Sequence, residues 1–190
     1  FRSEAIIQAL RVTLEVAVLA TIFSTVLGTL GAIGMHSMKK GWATLLTNLS
    51  YLPMTTPDIV TGVSLMLMFV FIGTRLGRSS SLSFWTLLIS HVTFCLPYVI
   101  LQVLPKLRQM DPSLPEAAMD LGCTPLQAFF KAVLPEIMPG IVTGMIMAFT
   151  MSLDDFVISY FTQGSGFQTL PIRIYNMTKK TVTPKMYALA

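Results

Sequence analysis

Charge is scarce in this sequence. Of 190 residues, 13 are Lys or Arg and 9 are Asp or Glu, so charged side chains make up 12% of the chain, about half the share of an average soluble domain. Hydrophobic residues reach 53% and the mean hydropathy is +0.69, which excludes an intrinsically disordered chain. Cysteine is nearly absent too. Cys95 lies in an apolar run and Cys123 in a polar gap, with no CxxC pair, so neither a disulfide scaffold nor a metal site is expected. No HExxH or GxSxG motif is present, and Gln163, Gly164, Ser165 and Gly166 lack the GK[ST] ending of a phosphate loop. Catalytic residues, a nucleotide site and a resident cofactor are therefore not expected. The formal net charge of +4 comes from basic residues standing singly or in pairs between apolar runs, not from a stripe suited to nucleic acid.

What the sequence does have is long apolar runs. A helix needs about 20 apolar residues to cross ~30 Å of hydrocarbon. Residues 16–35 carry no charge, residues 82–104 lack Asp, Glu, Lys and Arg over 23 positions, and residues 137–153 lack them over 17. Residues 59–73 number only 15, so this span is expected to recruit residues 51–58 with Pro53 and Pro57. Four spans predict an all-α fold, a polytopic transmembrane helical bundle forming one domain over residues 1–190.

Residues 105–136 separate the third and fourth spans, a gap longer than ordinary connections. Ser113, Pro115 and Glu116 predict a helix start, with a Ser cap, an early Pro and an acid three residues on. Gly122 predicts its stop, since Gly reaches φ > 0 without a Cβ clash. Thr124, Pro125 and Gln127 repeat the start signal, and Pro135 is expected to limit the second helix.

In this gap Glu116, Ala117 and Ala118 are followed after three residues by Gly122, then by Leu134 and Pro135, with Ala132 where the full pattern has Ile. On these residues the chain resembles the MetI-like permeases of binding-protein-dependent ABC importers, whose EAA loop has this spacing. Through residues 114–141 and 148–156 it is similar to the permeases of spermidine/putrescine importers. The resemblance implies a non-catalytic permease in the bacterial inner membrane, with a first and a last span outside this sequence. It implies a second permease subunit, ATP-binding subunits that hold the ATP, a periplasmic substrate-binding protein and a polyamine substrate. It places loop 105–136 in the cytoplasm as the ATPase-coupling element, carried by Glu116, Ala117, Ala118, Gly122, Leu134 and Pro135. It also implies that the loop at Gln163 to Gly166 touches the delivery protein. Another amine, an oxyanion or a metal complex is the alternative substrate. An ion-coupled transporter or channel would lack such a loop and would usually carry more intramembrane charge or inverted repeats.

Asp154 and Asp155 are the most informative acids. An Asp at a helix centre costs about 2.5 to 3.5 kcal/mol on insertion scales, so the pair must face water, a partner or the interface. They are candidate substrate-pathway residues, with Tyr160 and Phe161 offering cation–π faces; a helix end at the outer interface is the alternative. Successive helical side chains diverge by about 100°, so both acids reach one pathway only if the helix ends there. Asp58 after Pro57 reads as a helix-start acid favoured by the dipole, with a pathway role as the alternative. His91, with no acid within a turn of it, reads as a residue hydrogen-bonding between helices. Trp85 and Tyr98 read as aromatic anchors or packing residues. Gly140, Gly144 and Ala148 form a small-residue face for close helix packing.

The distribution of positive charge argues against the orientation that the loop implies. With loop 105–136 inside, Lys39, Lys40, Lys106, Arg108 and Lys131 are inside, whereas Arg75, Arg78, Arg173, Lys179, Lys180 and Lys185 are outside even before Arg2 and Arg11 are added. Cytoplasmic segments normally carry the excess. The orientation is kept because the motif is more specific than the bias.

Overall fold

The computed structural model describes residues 4–75, 77, 82–164 and 166–179. Among them every regular element is helical: α1 (Glu4–Ser37), α2 (Lys40–Thr55), α3 (Asp58–Arg75), α4 (Phe84–Gln109), α5 (Leu114–Asp120), α6 (Pro125–Ala128), a π-helical turn (Phe129–Val133), α7 (Leu134–Asp154), α8 (Val157–Thr162) and α9 (Leu170–Thr178). Four segments are long and apolar enough to cross a membrane: α1, α3, α4 and the continuous stretch Pro125–Asp154. These match the four expected spans.

Three boundaries differ from expectation, each at a proline. The second span does not absorb residues 51–58. Thr56 is extended (φ −80°, ψ 143°), because the residue before a proline is pushed out of the helical region, and α3 starts afresh at Asp58. Residues 51–55 belong instead to α2, which precedes that span. Pro105 lies inside α4, which runs on to Gln109 with Lys106 and Arg108 facing the negative end of its dipole. Pro135 does not limit the second loop helix. The π turn intervenes, with the Leu134 amide donating to the Phe129 carbonyl five residues back. Pro135 then falls in the first turn of α7, where its missing N–H leaves no intrahelical bond unmade. α6 is thereby continuous with the fourth span.

The core is built around α4. α1 runs parallel to it, Gly28 packing at Leu96 and Val99 and Gly31 at Ile100. α7 runs antiparallel: Gly140 meets Gln102 and Lys106, Gly144 meets Val99, the Cys95 thiol donates to the Ala148 carbonyl and Ser152 pairs with His91. Close approach is what these small residues supply. A Cβ on Gly28 would stand 2.8 Å from the Val99 Cβ, and one on Gly144 would stand 3.1 Å from its Cα. Val99, fully buried, thus packs against a glycine of α1 and a glycine of α7. By contrast, α3 leaves Ile59, Val60, Leu67, Phe71 and Ile72 exposed and packs through Gly62 against Phe161 of α8.

One end of the bundle carries α5 and α6. The other gathers the start of α1, the start of α4 and the α8–α9 region. There Thr86 Oγ1 donates to the Thr162 carbonyl at 3.0 Å, and the Leu170 amide donates to Thr13 Oγ1 at 2.7 Å.

Candidate functional site

The loop end is organised by local caps. Asp111 Oδ1 accepts from the Ser113 amide at 2.9 Å and from its hydroxyl at 2.7 Å. Ser113 therefore gives its side chain to Asp111 and does not cap α5, a correction to the expected start signal. The same two bonds hold the Asp111 carboxyl below the usual range, the side-chain bond from Ser113 contributing most. Pro115 and Glu116 lie in the first turn of α5 as expected. Gly122 has φ +88°, and the Cys123 amide reaches back to the Ala118 carbonyl while that of Gly122 reaches Met119, a Schellman stop. Thr124 and Gln127 close a reciprocal capping box, with the Thr124 amide 3.1 Å from Gln127 Oε1.

Glu116 and Ala117 are exposed and Ala118 is half-buried; Leu134 and Pro135 sit beyond the π turn, at the start of the span. Sequence reasoning missed the apolar residues around this turn. Leu121 is 87% exposed and Leu126 71%, with Phe130 and Met119 exposed nearby. Their signal was available: large apolar residues between two cap motifs have no core face to join.

At the other end, α7 stops at Asp154, and Asp155 is extended (φ −61°, ψ 124°). The break separates the two acids. Asp155 turns inward, its oxygens accepting from the amides of Ile158 (3.2 Å) and Ser159 (2.7 Å), so it caps α8. Its side chain is 7% exposed and lies 3.6 Å from Nε2 of His91. His91 Nδ1 is 2.8 Å from Ser152 Oγ, and Nε2 is 3.0 Å from Ser159 Oγ. His91 thus bonds between helices as its sequence context suggests, but an acid absent from its own helical turns arrives through the α7–α8 break.

Asp154 remains exposed and lines a cleft of about 720 Å³ with Phe156, Tyr175 and the α1 residues Leu10 and Thr13. Phe156 lies 4.9 Å from Tyr175 and 5.7 Å from Tyr160, centroid to centroid, and Lys179 Nζ stands 5.0 Å over the Tyr175 ring. Tyr160 itself lines a second cleft of about 550 Å³ with Gln8, Gln163, Gln168 and Arg173. Phe161 is a packing residue against Gly62. The four pathway candidates therefore do not converge on one point: Asp154 and Tyr160 face separate clefts, while Asp155 and Phe161 face the protein. Phe156 and Tyr175 are the aromatic faces that sequence reasoning did not place beside Asp154.

Asp58 is the first residue of α3 and is exposed; Trp85 is exposed at the start of α4, and Tyr98 is buried against Phe94. Ser165 and the cationic residues Arg2, Arg78, Lys180 and Lys185 lie outside the described residues.

The family profile described as binding-protein-dependent transport system inner membrane component matches residues 24–190. The putrescine transport system permease protein PotI of Escherichia coli (strain K12) is 39% identical over 194 residues, covering 100% of this chain and 68% of the relative. The spermidine/putrescine transport system permease protein PotC of the same strain is 36% identical, covering 99% and 69%. PotC of Haemophilus influenzae is 37% identical, covering 100% and 72%. A chain from a crystal structure of an amino acid ABC transporter with histidines superposes with a TM-score of 0.64 at 19% identity, over 97% of this chain and 83% of that one, which shows a shared fold. Four apolar helices and a doubly capped loop before the last of them agree with these matches: the chain belongs to the inner membrane components of binding-protein-dependent transport systems, as a non-catalytic ABC importer permease.

Proposed function

We propose that this chain is a permease subunit for a polyamine, spermidine or putrescine, in a bacterial inner membrane. It lines half of a route completed by a second permease subunit, receives its substrate from a periplasmic binding protein and is driven by separate ATP-binding subunits. The observation that carries the reading is 36–39% identity, over essentially the whole chain, to permeases named for these amines.

The geometry at both ends supports a mechanism. At the loop, α5 offers the exposed Glu116 and Ala117 beside the apolar Met119, Leu121, Leu126 and Phe130. A small-faced helix with an apolar rim suits a groove on an ATPase, which would cover side chains otherwise left in water. Glu116, Ala117, Ala118 and Gly122 act as the coupling residues, and Leu134 and Pro135 join the loop to the span. Because α6 continues through the π turn into α7, a displacement of the loop is carried along one helical rod of about 45 Å to Asp154. At that end a carboxylate beside the rings of Phe156 and Tyr175 offers an ammonium both charge attraction and cation–π contact. Asp154 is the pathway acid, with Tyr160 at the neighbouring cleft; Asp155 and Phe161 shape the break.

Uptake by the complete transporter in proteoliposomes tests this reading. ATP-dependent accumulation of labelled putrescine or spermidine, competed by other polyamines and not by anions, is expected. Selective uptake of an anion or metal complex, with no polyamine uptake, overturns it.

A further inference from the structure

We propose that His91 is a positioning residue for transport: its imidazole staples the two sides of the α7–α8 break together and so fixes where Asp154 stands in its cleft. The proposal rests on the reading of Asp154 as the pathway acid. His91 lies on α4 and is 1% exposed, out of reach of a substrate in the cleft. Its Nδ1 stands 2.8 Å from Ser152 Oγ, in the last turn of α7, and its Nε2 stands 3.0 Å from Ser159 Oγ, in the first turn of α8. Both serines are buried as well, so no water replaces a bond that is lost.

The bonds at the junction itself do not set the angle between the two helices. Asp155 and Phe156 are the residues between them, and their bonds run forward into α8: the Asp155 carboxylate accepts from the Ile158 and Ser159 amides, and the Phe156 carbonyl accepts from the Tyr160 amide. Two further bonds tie each helix to α4 separately, the Cys95 thiol to the Ala148 carbonyl of α7 and the Thr86 hydroxyl to the Thr162 carbonyl of α8. Among the described residues, His91 is the side chain that hydrogen-bonds to both helices at once.

An imidazole suits this task. A serine hydroxyl donates or accepts, so either arm holds whichever ring nitrogen carries the proton. Asp155 Oδ2, 3.6 Å from Nε2, only accepts when ionised, and therefore favours a proton on Nε2 in either charge state of the ring. Losing one arm leaves a buried hydroxyl or ring nitrogen unpaired and releases one side of the break. The functional groups of the cleft lie close to both arms: Asp154 is two residues beyond Ser152, and Phe156 is three residues before Ser159. A rotation at the break therefore changes the spacing between the carboxylate and the rings. Charge attraction and cation–π contact act together on one ammonium only when that spacing is right.

The test uses the assembled transporter in proteoliposomes, with polyamine uptake and ATP hydrolysis read in the same vesicles. Ser152→Ala removes the α7 arm and Ser159→Ala the α8 arm, each by one hydroxyl, while His91→Asn and His91→Gln place an amide near the position of Nδ1 or Nε2 and so keep one arm each. Every one of these variants is expected to transport about 3- to 10-fold less polyamine per ATP hydrolysed. In an Asp154→Asn background Ser152→Ala is expected to cause no further loss, a coupling that distant and independent sites do not show. Uptake and hydrolysis that fall together at the parental ratio, or losses that simply add to that of Asp154→Asn, make His91 a packing residue and overturn the proposal. Parental transport in both serine variants overturns it too, and these variants decide the matter where a His91 variant does not assemble. A parental complex that takes up no polyamine instead overturns the polyamine reading, and the role of Asp154 falls with it.

Discussion

Asp155 spends both carboxylate oxygens on the amides that open α8, beside a histidine that holds Ser152 and Ser159. Its neighbour Asp154 makes none of these bonds and stands exposed in the cleft with Phe156 and Tyr175. Their substitutions should separate. Asp154→Asn is expected to lower polyamine uptake several-fold at unchanged thermal stability, measured as uptake per permease in vesicles. Asp155→Asn is expected to lower stability by about 1–3 kcal/mol, because Asn offers one acceptor oxygen where two amides are bound in a buried site; thermal unfolding in detergent reads it. Parental uptake for Asp154→Asn would remove that acid from the pathway. Asp111 supplies a pH prediction at the other end. Its carboxyl is held below the usual range by Ser113, so the turn it closes is stabilised above the ordinary Asp value, and that contribution is lost as pH falls through the depressed one. Hydrogen exchange in the first turn of α5, corrected for intrinsic rate, should accelerate over that acidic interval in the parent and not in Asp111→Asn.

At the scale of elements, glycines act in two ways. Gly122 has φ +88° and open space where a Cβ would go, so a side chain there meets torsional strain and no clash. Gly122→Val is expected to cost about 1–3 kcal/mol locally, to misplace α5 and to lower substrate-stimulated ATP hydrolysis by the reconstituted complex, while membrane insertion persists. Full coupled activity would count against docking through this loop. Gly144 is helical and limited by contact, since an added Cβ would lie 3.1 Å from the Val99 Cα. Gly144→Val should push α7 from α4 and destabilise the protein by about 1–3 kcal/mol, seen as a lower unfolding temperature in detergent.

For the whole molecule, the relation between the two ends matters most. The rod from Pro125 through the π turn to Asp154 links the surface proposed to meet the ATPase with the acid proposed to meet the substrate. Leu121→Glu together with Leu126→Glu alters two side chains that contribute little to the core, being 87% and 71% exposed. The double variant is expected to keep its fold and lose ATPase-subunit association at least tenfold, measured by co-purification and titration. Retained association would place the ATPase contact elsewhere.

The sequence by itself determined the all-α character, the four spans, the Gly122 stop, the Thr124 capping box and the small-residue face of α7. Each follows from local chemistry: apolar run length, a left-handed backbone, a reciprocal cap, the absence of bulk. It misplaced boundaries at Pro57, Pro105 and Pro135, because whether a proline ends, bends or merely sits in a helix depends on what the neighbouring turns pack against. The different environments of Asp154 and Asp155 and the meeting of His91 with Asp155 were decided by tertiary structure alone. They depend on residues more than sixty positions apart, or on opposite ends of the chain, being brought into contact by the packing of α1 and α7 against α4, and no local pattern encodes that distance.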